Sequence, residues 1–327
     1  MVKKLLKHVK KFLPLIGIII LIYIIYSLDV EKIKNAVLSI HPFYILIALS
    51  FTLPRVLIRN YVWQMIQKEQ KIELGFGESL KIYLISFFYG IISPGYIGQL
   101  MRVPYMKEKT NAPYGKLFVN STLEVVIHNI SLYGMIFLGA LLFIGVRPDL
   151  SALFIGTIGI ILLILFYFVK KERGEKLFYL LIKYFIPKSY KKYLNRFVDT
   201  FYSDFPSLQK LVLPMVLGII TWVIIFSQEY FVVIAMGLDI PYLYFLLLYP
   251  IANIIGFIPI TFAGLGTREA AAIFLFYSVC NFNVLEEEIF VVSLVGFLLT
   301  DIFTGVIGFL ASLFERRPQH RLSKIKM

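Results

Sequence analysis

Long apolar runs, separated by short polar segments, dominate the pattern of this chain. Each run approaches the roughly 20 apolar residues that a helix needs to cross the hydrocarbon core of a bilayer. The pattern therefore predicts an all-α polytopic membrane protein with about six full spans. The runs are Phe12–Leu28, Pro42 to about Met65, Leu117–Gly145, Leu150–Val169, Leu211–Met236 and Ile289–Phe314.

Two further apolar stretches, residues 76–105 and 242–280, are interrupted by glycine and proline. The first contains Pro94 and the second contains Pro259, each close to several glycines. Both residue types weaken a helix interior, so an unbroken span is not expected here. Irregular backbone at membrane depth survives only where protein or a water-filled cavity covers it. We therefore predict a re-entrant or broken-helix hairpin in each stretch, and leave open whether the second crosses the membrane fully.

The two hairpins share one spacing of glycine and arginine. In each, a glycine is followed by a second glycine after eight residues and by an arginine four residues later. The matched positions are Gly90, Gly98 and Arg102 in the first hairpin and Gly256, Gly264 and Arg268 in the second. Paired interrupted segments in two halves of a transporter-like chain indicate a binding site. The spacing predicts an inverted repeat, with residues 1–169 as the first half and residues 211–327 as the second.

The basic residues set the predicted orientation. Lysines and arginines crowd the N-terminus, the segment after the first hairpin, residues 170–210 and the C-terminus, whereas Asn281–Glu288 contains none. Because positively charged loops stay in the cytoplasm, both termini are predicted to be cytoplasmic and the two hairpins to enter from opposite faces. The whole chain, residues 1–327, is thus predicted to be one integral domain of a prokaryotic-type cell membrane.

Residues 170–210 form a sizeable polar segment between the two halves. The segment contains ten lysines and arginines, and Tyr190, Tyr193, Phe197 and Phe201 recur in it at helical spacing. A basic amphipathic helix of this kind lies on the inner leaflet and contacts lipid headgroups. A solvated linker is the alternative that the composition leaves open.

The composition excludes several classes of protein. At 59% hydrophobic residues and a mean hydropathy of +0.79, no stretch has the composition of a large soluble domain. The net charge of +13 follows from basic loops on one side, so no nucleic-acid partner is predicted. Cys280 is the only cysteine and the four histidines are scattered, so neither an intramolecular disulfide nor a metal site is expected. With no nucleotide phosphate-binding loop either, we predict no cofactor.

Placing an ionisable residue within an apolar membrane segment costs free energy, so each such residue is a functional candidate by default. Arg102 and Arg268 each follow a glycine turn, and Arg268 is expected to open a half-helix. Free backbone donors at a helix start, together with a fork-shaped guanidinium group, suit a phosphate. We therefore predict a headgroup-binding site formed by Arg102 and Arg268 with Gly98, Gly264 and Gly266.

The other buried charges have two interpretations. Internal salt bridges that hold the bundle together account equally well for Arg55, Arg59 and Glu229. Glu124 and His128 are four residues apart on one helix face, where they either relay protons or form hydrogen bonds inside the bundle. The predicted charge partners or proton switches are Glu269, Glu124, His128 and Asp301.

The second hairpin resembles the signature of the lysylphosphatidylglycerol synthase transmembrane-region family, also called flippase-like membrane proteins. That signature is a proline, a glycine pair, a further glycine and an Arg-Glu pair. Here it stands as Pro259, Gly264, Gly266, Arg268 and Glu269, with Ala263 at the position where the first paired glycine is usual. Residues 93–102 are similar to the family's other recurring segment, and the resemblance spans nearly the whole chain.

The resemblance implies that the protein handles an anionic phospholipid or a polyprenyl-phosphate-linked lipid and moves it between leaflets. A soluble C-terminal domain carries out aminoacyl transfer in the bacterial synthases, and we expect that activity to be absent here because the sequence stops about a dozen residues after its last predicted helix. We therefore expect a lipid translocase rather than an enzyme. An intramembrane lipid-modifying enzyme and a membrane scaffold for a separately encoded glycosyl- or aminoacyltransferase are the alternatives. Assembly as a homo-oligomer or with a partner transferase also stays open.

Overall fold

The computed structural model describes residues 19–93, 95–145, 147–169, 205–257 and 263–315, together with residues 172–174, 176, 199, 203 and 261. Within these residues the regular structure is helical throughout and contains no strand, which confirms the all-α class. Four predicted features lie outside the described residues, wholly or largely. They are Pro94, Pro259, the start of the first apolar run and most of residues 170–210.

The helices of the first part are residues 19–27 (α1), Val30–Leu38 (α2), Pro42–Ser50 (α3), Thr52–Glu69 (α4), Phe76–Ile91 (α5), Arg102–Lys109 (α6) and Tyr114–Leu142 (α7). They are followed by Pro148–Val169 (α8), Leu208–Ala235 (α9), Tyr242–Gly256 (α10), Thr267–Ile273 (α11), Glu286–Phe297 (α12) and Phe303–Leu313 (α13). A 3-10 turn, Ile97–Met101, leads into α6. Two segments are π-helical: Phe274–Val279 continues α11, and Leu298–Ile302 joins α12 to α13.

Several helices are long and apolar enough to cross a membrane. Among the described residues these are Pro42–Glu69, Tyr114–Leu142, Gln209–Ala235 and Glu286–Leu313, and the shorter apolar helices are Ser151–Leu163 and Tyr242–Gly256. The chain is therefore an all-α polytopic membrane protein. The number of full spans, the side of the termini and the division into two repeated halves stay predictions.

Local sequence signals explain where individual helices begin. The side chain of Asp29 caps α2 by accepting hydrogen bonds from two backbone amides of its first turn. At the start of α12, Glu288 accepts a hydrogen bond from the amide of Leu285 at 2.8 Å. The three glutamates of this first turn lie where the positive end of the helix dipole favours them.

Helix α9 lies at the centre of the bundle and packs against α3, α4, α7, α10 and α12. Its buried Trp222 and Phe226 stack with ring centroids 5.4 Å apart. Phe226 then contacts Tyr249 of α10, which stacks on Phe245 at 4.7 Å. Large apolar side chains such as Leu163 remain exposed on the outer helix surfaces, as expected for surfaces that face lipid.

Both predicted hairpins contain broken helices. Between α5 and the 3-10 turn, Gly95 and Tyr96 have positive φ angles of 59° and 56°. Between α10 and α11, positive φ angles occur at Ala263, Gly264 and Gly266. The chain therefore reverses in irregular backbone at the two places where the sequence pattern places a break.

The shared glycine spacing has a physical reason, because the limbs of each hairpin cross where the glycines lie. A Cβ atom on Gly98 would be 1.9 Å from the carbonyl oxygen of Tyr89. In the second hairpin, a Cβ atom on Gly264 would be 2.8 Å from the Cα atom of Gly256. Only glycine allows the two backbone segments to come this close. The shared spacing is therefore explained by two backbone crossings of similar geometry.

An ion-pair cluster at the base of the first hairpin joins it to α13. Glu315 accepts a hydrogen bond from Lys81 of α5 and lies 3.4 Å from Lys109 at the end of α6. The hydrogen bond from Lys81 lowers the pKa of Glu315 below its ordinary value, and the Glu315 charge raises the pKa of Lys109. Because both lysines are well exposed, water screens this cluster and it stabilises the fold only slightly.

Candidate functional site

A cavity of about 200 Å³ lies inside the bundle, beside the turn of the first hairpin. Its walls come from that turn, from α4, α5, α7, α9 and α10, and from the π-helical segment between α12 and α13. Polar side chains supply much of the lining, which is unusual for the interior of a membrane bundle. They are Arg55, Arg59, Tyr96, Gln99, His128, Asn129, Glu229, Asn253, Thr300 and Asp301.

Arg55 reaches the cavity from α4. Its Nη2 atom donates hydrogen bonds to the carbonyl oxygen of Thr300 at 2.8 Å and to Oγ1 of Thr304 at 2.6 Å. Its Nε atom is buried and has no hydrogen-bond partner among the described residues. The side chain is thus anchored at one end and retains a donor in the cavity wall.

Arg59 lies one helical turn further along α4. Its Nε atom donates to Oε1 of Glu124 at 3.0 Å, and its terminal nitrogens make no hydrogen bond to any described residue. The guanidinium group also lies 5.6 Å from the ring centre of Tyr83. Arg59 therefore presents charged donors to the cavity while Glu124 fixes its orientation.

Arg102 is fully buried and is one of the charged residues that the sequence predicts to bind a headgroup. Its three nitrogens donate to Ser86 Oγ at 3.0 Å, to Glu124 Oε2 at 2.5 Å and to Gln99 Oε1 at 3.1 Å. The guanidinium group also lies over the ring of Trp63, at 4.9 Å. Each nitrogen of Arg102 thus has a protein partner and the side chain does not line the cavity, so its contact with a headgroup stays a prediction.

Arg268 occupies a comparable environment in the second hairpin. Its Nη2 atom donates to Glu269 Oε1 at 2.6 Å, its Nε atom donates to Ser293 Oγ at 3.3 Å, and its guanidinium lies 4.6 Å from the Phe297 ring centre. Glu269 also accepts a hydrogen bond from the amide of Gly266 at 2.5 Å. The half-helix start that the sequence analysis expects to offer free donors is therefore capped by the chain's own carboxylate. Neither Arg268 nor Glu269 lines the cavity.

The three predicted glycines form the crossings and turns of the hairpins rather than the cavity wall. The amide of Gly98 donates to Ser93 Oγ at 2.7 Å, and the carbonyl of Gly264 accepts from the amide of Arg268 at 3.0 Å. The turn residue that does line the cavity is Gly95. A direct role of Gly98, Gly264 and Gly266 in ligand binding stays a prediction.

Two carboxylates face the arginines across the cavity. Glu229 Oε1 accepts a hydrogen bond from Thr300 Oγ1 at 3.3 Å, whereas its Oε2 is buried without a partner among the described residues. Asp301 accepts a hydrogen bond from the phenol of Tyr96 at 3.1 Å, and its other oxygen lies 3.1 Å from the Thr300 hydroxyl, whose single proton serves one acceptor at a time. With Arg55 and Arg59, these groups give a wall that carries two formal positive and two formal negative charges.

His128 lies on α7, one turn after Glu124. Its ring stacks on Trp222 with centroids 4.3 Å apart, and its carbonyl oxygen accepts the indole N–H of Trp222 at 2.9 Å. Its Nε2 atom is buried and has no partner among the described residues. Glu124 pairs with Arg59 and Arg102, whereas His128 stacks on Trp222 and lines the cavity, and a proton relay through either residue stays a prediction.

The sequence indicates that Arg55, Arg59 and Glu229 are charges within apolar segments, but it assigns them to no site. The helical spacing of Arg55 and Arg59 was the available signal, because residues four apart share one face of α4. Tyr96, Asn129 and Asn253 were not singled out at all. No motif marks them, since hairpin geometry and the packing of α9 bring them to the cavity.

A second, larger cavity of about 1010 Å³ lies at the surface near residues 70–75. It is lined by lysines and glutamates such as Lys68, Lys71, Glu69 and Lys210. None of the predicted site residues lines it. Within the described part of the chain, no group of three or more histidines, cysteines, aspartates or glutamates is placed to hold a metal ion.

Comparisons with known proteins agree with the membrane architecture. The model of the family described as "Lysylphosphatidylglycerol synthase TM region" matches residues 14–308. The chain is also 25% identical over 297 residues to a protein named "UPF0104 membrane protein" from Methanothermobacter thermautotrophicus, covering 84% of this chain and 86% of that protein. Since the family model covers far more than half of the sequence, the chain belongs to the family of the lysylphosphatidylglycerol synthase transmembrane region.

Proposed function

We propose that this protein is a lipid translocase of the cell membrane, which moves an anionic phospholipid or a polyprenyl-phosphate-linked lipid between leaflets. The observation that carries the proposal is the cavity inside the bundle, where Arg55 and Arg59 both retain hydrogen-bond donors. A polar cavity among apolar helices gives a charged headgroup a path that the lipid tails do not offer.

Phosphate is the chemical group that suits these donors best. A guanidinium group offers several N–H donors in a planar fork, and that geometry matches two oxygens of one phosphate. Arg59 is held at its Nε atom by Glu124, so its outer edge remains for such a ligand. Glu229 and Asp301 balance the arginine charges, which reduces the cost of keeping these groups in the membrane interior.

Arg102 and Arg268 are expected to change their partners when the hairpins move. Each is paired with a carboxylate here, Arg102 with Glu124 and Arg268 with Glu269. We infer that rocking of one half against the other changes these pairs, and that either arginine contacts the headgroup in another state. The basic segment 170–210 would hold inner-leaflet headgroups, and a second copy or a transferase remains a candidate partner.

Transfer of a fluorescent anionic phospholipid in proteoliposomes tests the proposal. Arg55→Gln and Arg59→Gln remove the charges that line the cavity, and each is expected to slow transfer about ten- to a hundredfold, as for a lost charged hydrogen bond. Arg147→Gln is the matched control, because Arg147 is exposed and bonds Asp149 in the turn before α8. Unchanged transfer by well-folded Arg55 and Arg59 variants would contradict the proposal.

The same vesicles separate transport from chemistry. After incubation, mass spectrometry of the extracted lipids should show the input species and nothing else. New covalent lipid species would favour the intramembrane enzyme instead. Loss of a co-expressed transferase's activity without lipid movement would favour the scaffold.

A further inference from the structure

Unpaired polar atoms collect at the cavity. Six buried side-chain nitrogens or oxygens in the described part of the chain have no hydrogen-bond partner. Three of them, Arg55 Nε, His128 Nε2 and Glu229 Oε2, belong to residues that line the cavity. Leaving such a group unpaired costs about 1–3 kcal/mol, so three of them around one cavity mark it as a site for polar groups.

The three unpaired atoms differ in whether a ligand must offer them a hydrogen-bond donor or an acceptor. Arg55 Nε can only donate a hydrogen bond, and Glu229 Oε2 accepts when the carboxyl group is ionised. His128 Nε2 donates or accepts according to its tautomer. A ligand that pairs with all three must therefore supply both acceptors and donors within one small volume.

This requirement distinguishes between headgroup chemistries. The oxygens of a phosphodiester accept hydrogen bonds and repel an ionised carboxylate, so a phosphodiester satisfies Arg55 but not an ionised Glu229. An ammonium group only donates, so it satisfies Glu229 but not Arg55. A hydroxyl group does both, and two neighbouring hydroxyls can bridge the arginine and the carboxylate.

The neutral part of the wall favours hydroxyls as well. Asn129 and Asn253 line the cavity, and their amides make no hydrogen bond to any described residue. Each amide can donate and accept, as can the hydroxyl groups of Tyr96 and Thr300 nearby. A site for phosphate alone would need cations and backbone amides, not this mixture.

We propose that the cavity binds the hydroxylated portion of a lipid headgroup, a polyol or a sugar attached to the phosphate. Arg59 holds the phosphate, and Arg55, His128 and Glu229 hold the hydroxyls. This proposal names the substrate class of the proposed translocase and rests on that function only in taking the ligand to be a membrane lipid.

Binding of short-chain lipids to the purified protein, measured by native mass spectrometry, tests this without requiring transport. Phosphatidylglycerol and phosphatidylinositol carry hydroxyls, and phosphatidylmethanol has the same phosphodiester charge without them. We expect at least one hydroxylated lipid to bind about tenfold or more tightly than phosphatidylmethanol, as for sites built around a hydroxyl. Equal binding, no binding of either hydroxylated lipid, or a preference for phosphatidylethanolamine would each overturn the proposal.

Variants distinguish the hydroxyl-binding part of the site from the phosphate-binding part. Glu229→Gln and Asn253→Leu should each lower affinity for the hydroxylated lipids without lowering that for phosphatidylmethanol, whereas Arg59→Gln should weaken all three. Asn129→Leu repeats the test on another helix if one variant fails to fold, and Arg147→Gln is the control. An intact hydroxyl preference without lipid transfer would refute the translocase alone. Transfer without a hydroxyl preference would refute this inference alone.

Discussion

Glu124 accepts hydrogen bonds from two arginines at once, Arg59 and Arg102, in a place almost without solvent. The Arg102 guanidinium also lies against the rings of Trp63 and Tyr83. Charges removed from water in this way depend on their partners, because the desolvation cost has already been met. Glu124 therefore fixes both the first hairpin and the orientation of an arginine in the cavity wall.

Glu124→Gln keeps the shape of the side chain and removes its charge. Two buried arginines then lose their counter-charge, and we expect the free energy of unfolding to fall by about 3 kcal/mol. Glu31→Gln is the matched control, since Glu31 pairs with Lys34 at 3.2 Å on the surface and should change stability by no more than about 0.5 kcal/mol. Denaturant unfolding in detergent measures both, and equal losses would contradict the assignment.

Buried charges could be predicted from the sequence at residue level, but their pairings could not. Arg102 and Arg268 stand out because each follows a glycine turn in an apolar context. That Arg102 bonds to Glu124, while Arg55 bonds across the bundle to Thr300 and Thr304, depends on contacts between helices distant in the chain. Helical spacing indicates which residues share a face, and the tertiary packing decides what lies opposite that face.

The hairpins are the elements that the sequence predicted best, because a helix crossing constrains residue size directly. Gly98 and Gly264 lie where a methyl group meets backbone atoms, and Gly264 also has a φ angle of +80°.

Gly98→Ala and Gly264→Ala should each destabilise the fold by about 2 kcal/mol or more through overpacking. Gly156→Ala, in α8 with no atom within 4 Å of the added methyl group, should be neutral or slightly stabilising.

Thermal unfolding of the three glycine variants in one detergent gives the comparison. A loss of stability shared by all three would show that any added methyl group perturbs the protein. No loss at Gly98 or Gly264 would mean that the hairpin limbs do not cross there.

The π-helical segments are elements that the sequence did not predict. A π turn adds one residue to a helix, and in a segment that is apolar on nearly every side no polar stripe reveals the resulting shift in phase. The segment Leu298–Ile302 nevertheless forms part of the cavity wall, because it places Thr300 and Asp301 next to Arg55 and Tyr96. Part of the site thus depends on a local distortion that only the structure reveals.

At the scale of the whole molecule, the cavity joins parts of the chain that are far apart in sequence. The phenol of Tyr96, in the turn of the first hairpin, donates to Asp301 near the C-terminus. Arg55 makes a similar connection from α4 to Thr304. Movement of one predicted half against the other must therefore change the cavity wall, which is the property that alternating access requires.

Opposite entry of the two hairpins is the prediction on which that mechanism depends. Asn111 follows the first hairpin and Asn283 follows the second, and both side chains are exposed. In a Cys280→Ser background, we expect an impermeant thiol reagent to label Asn283→Cys in intact cells. Asn111→Cys should be labelled only after permeabilisation, because the basic loop that contains it stays in the cytoplasm. Labelling of both positions from the same side would place the two loops on one face and exclude an inverted repeat.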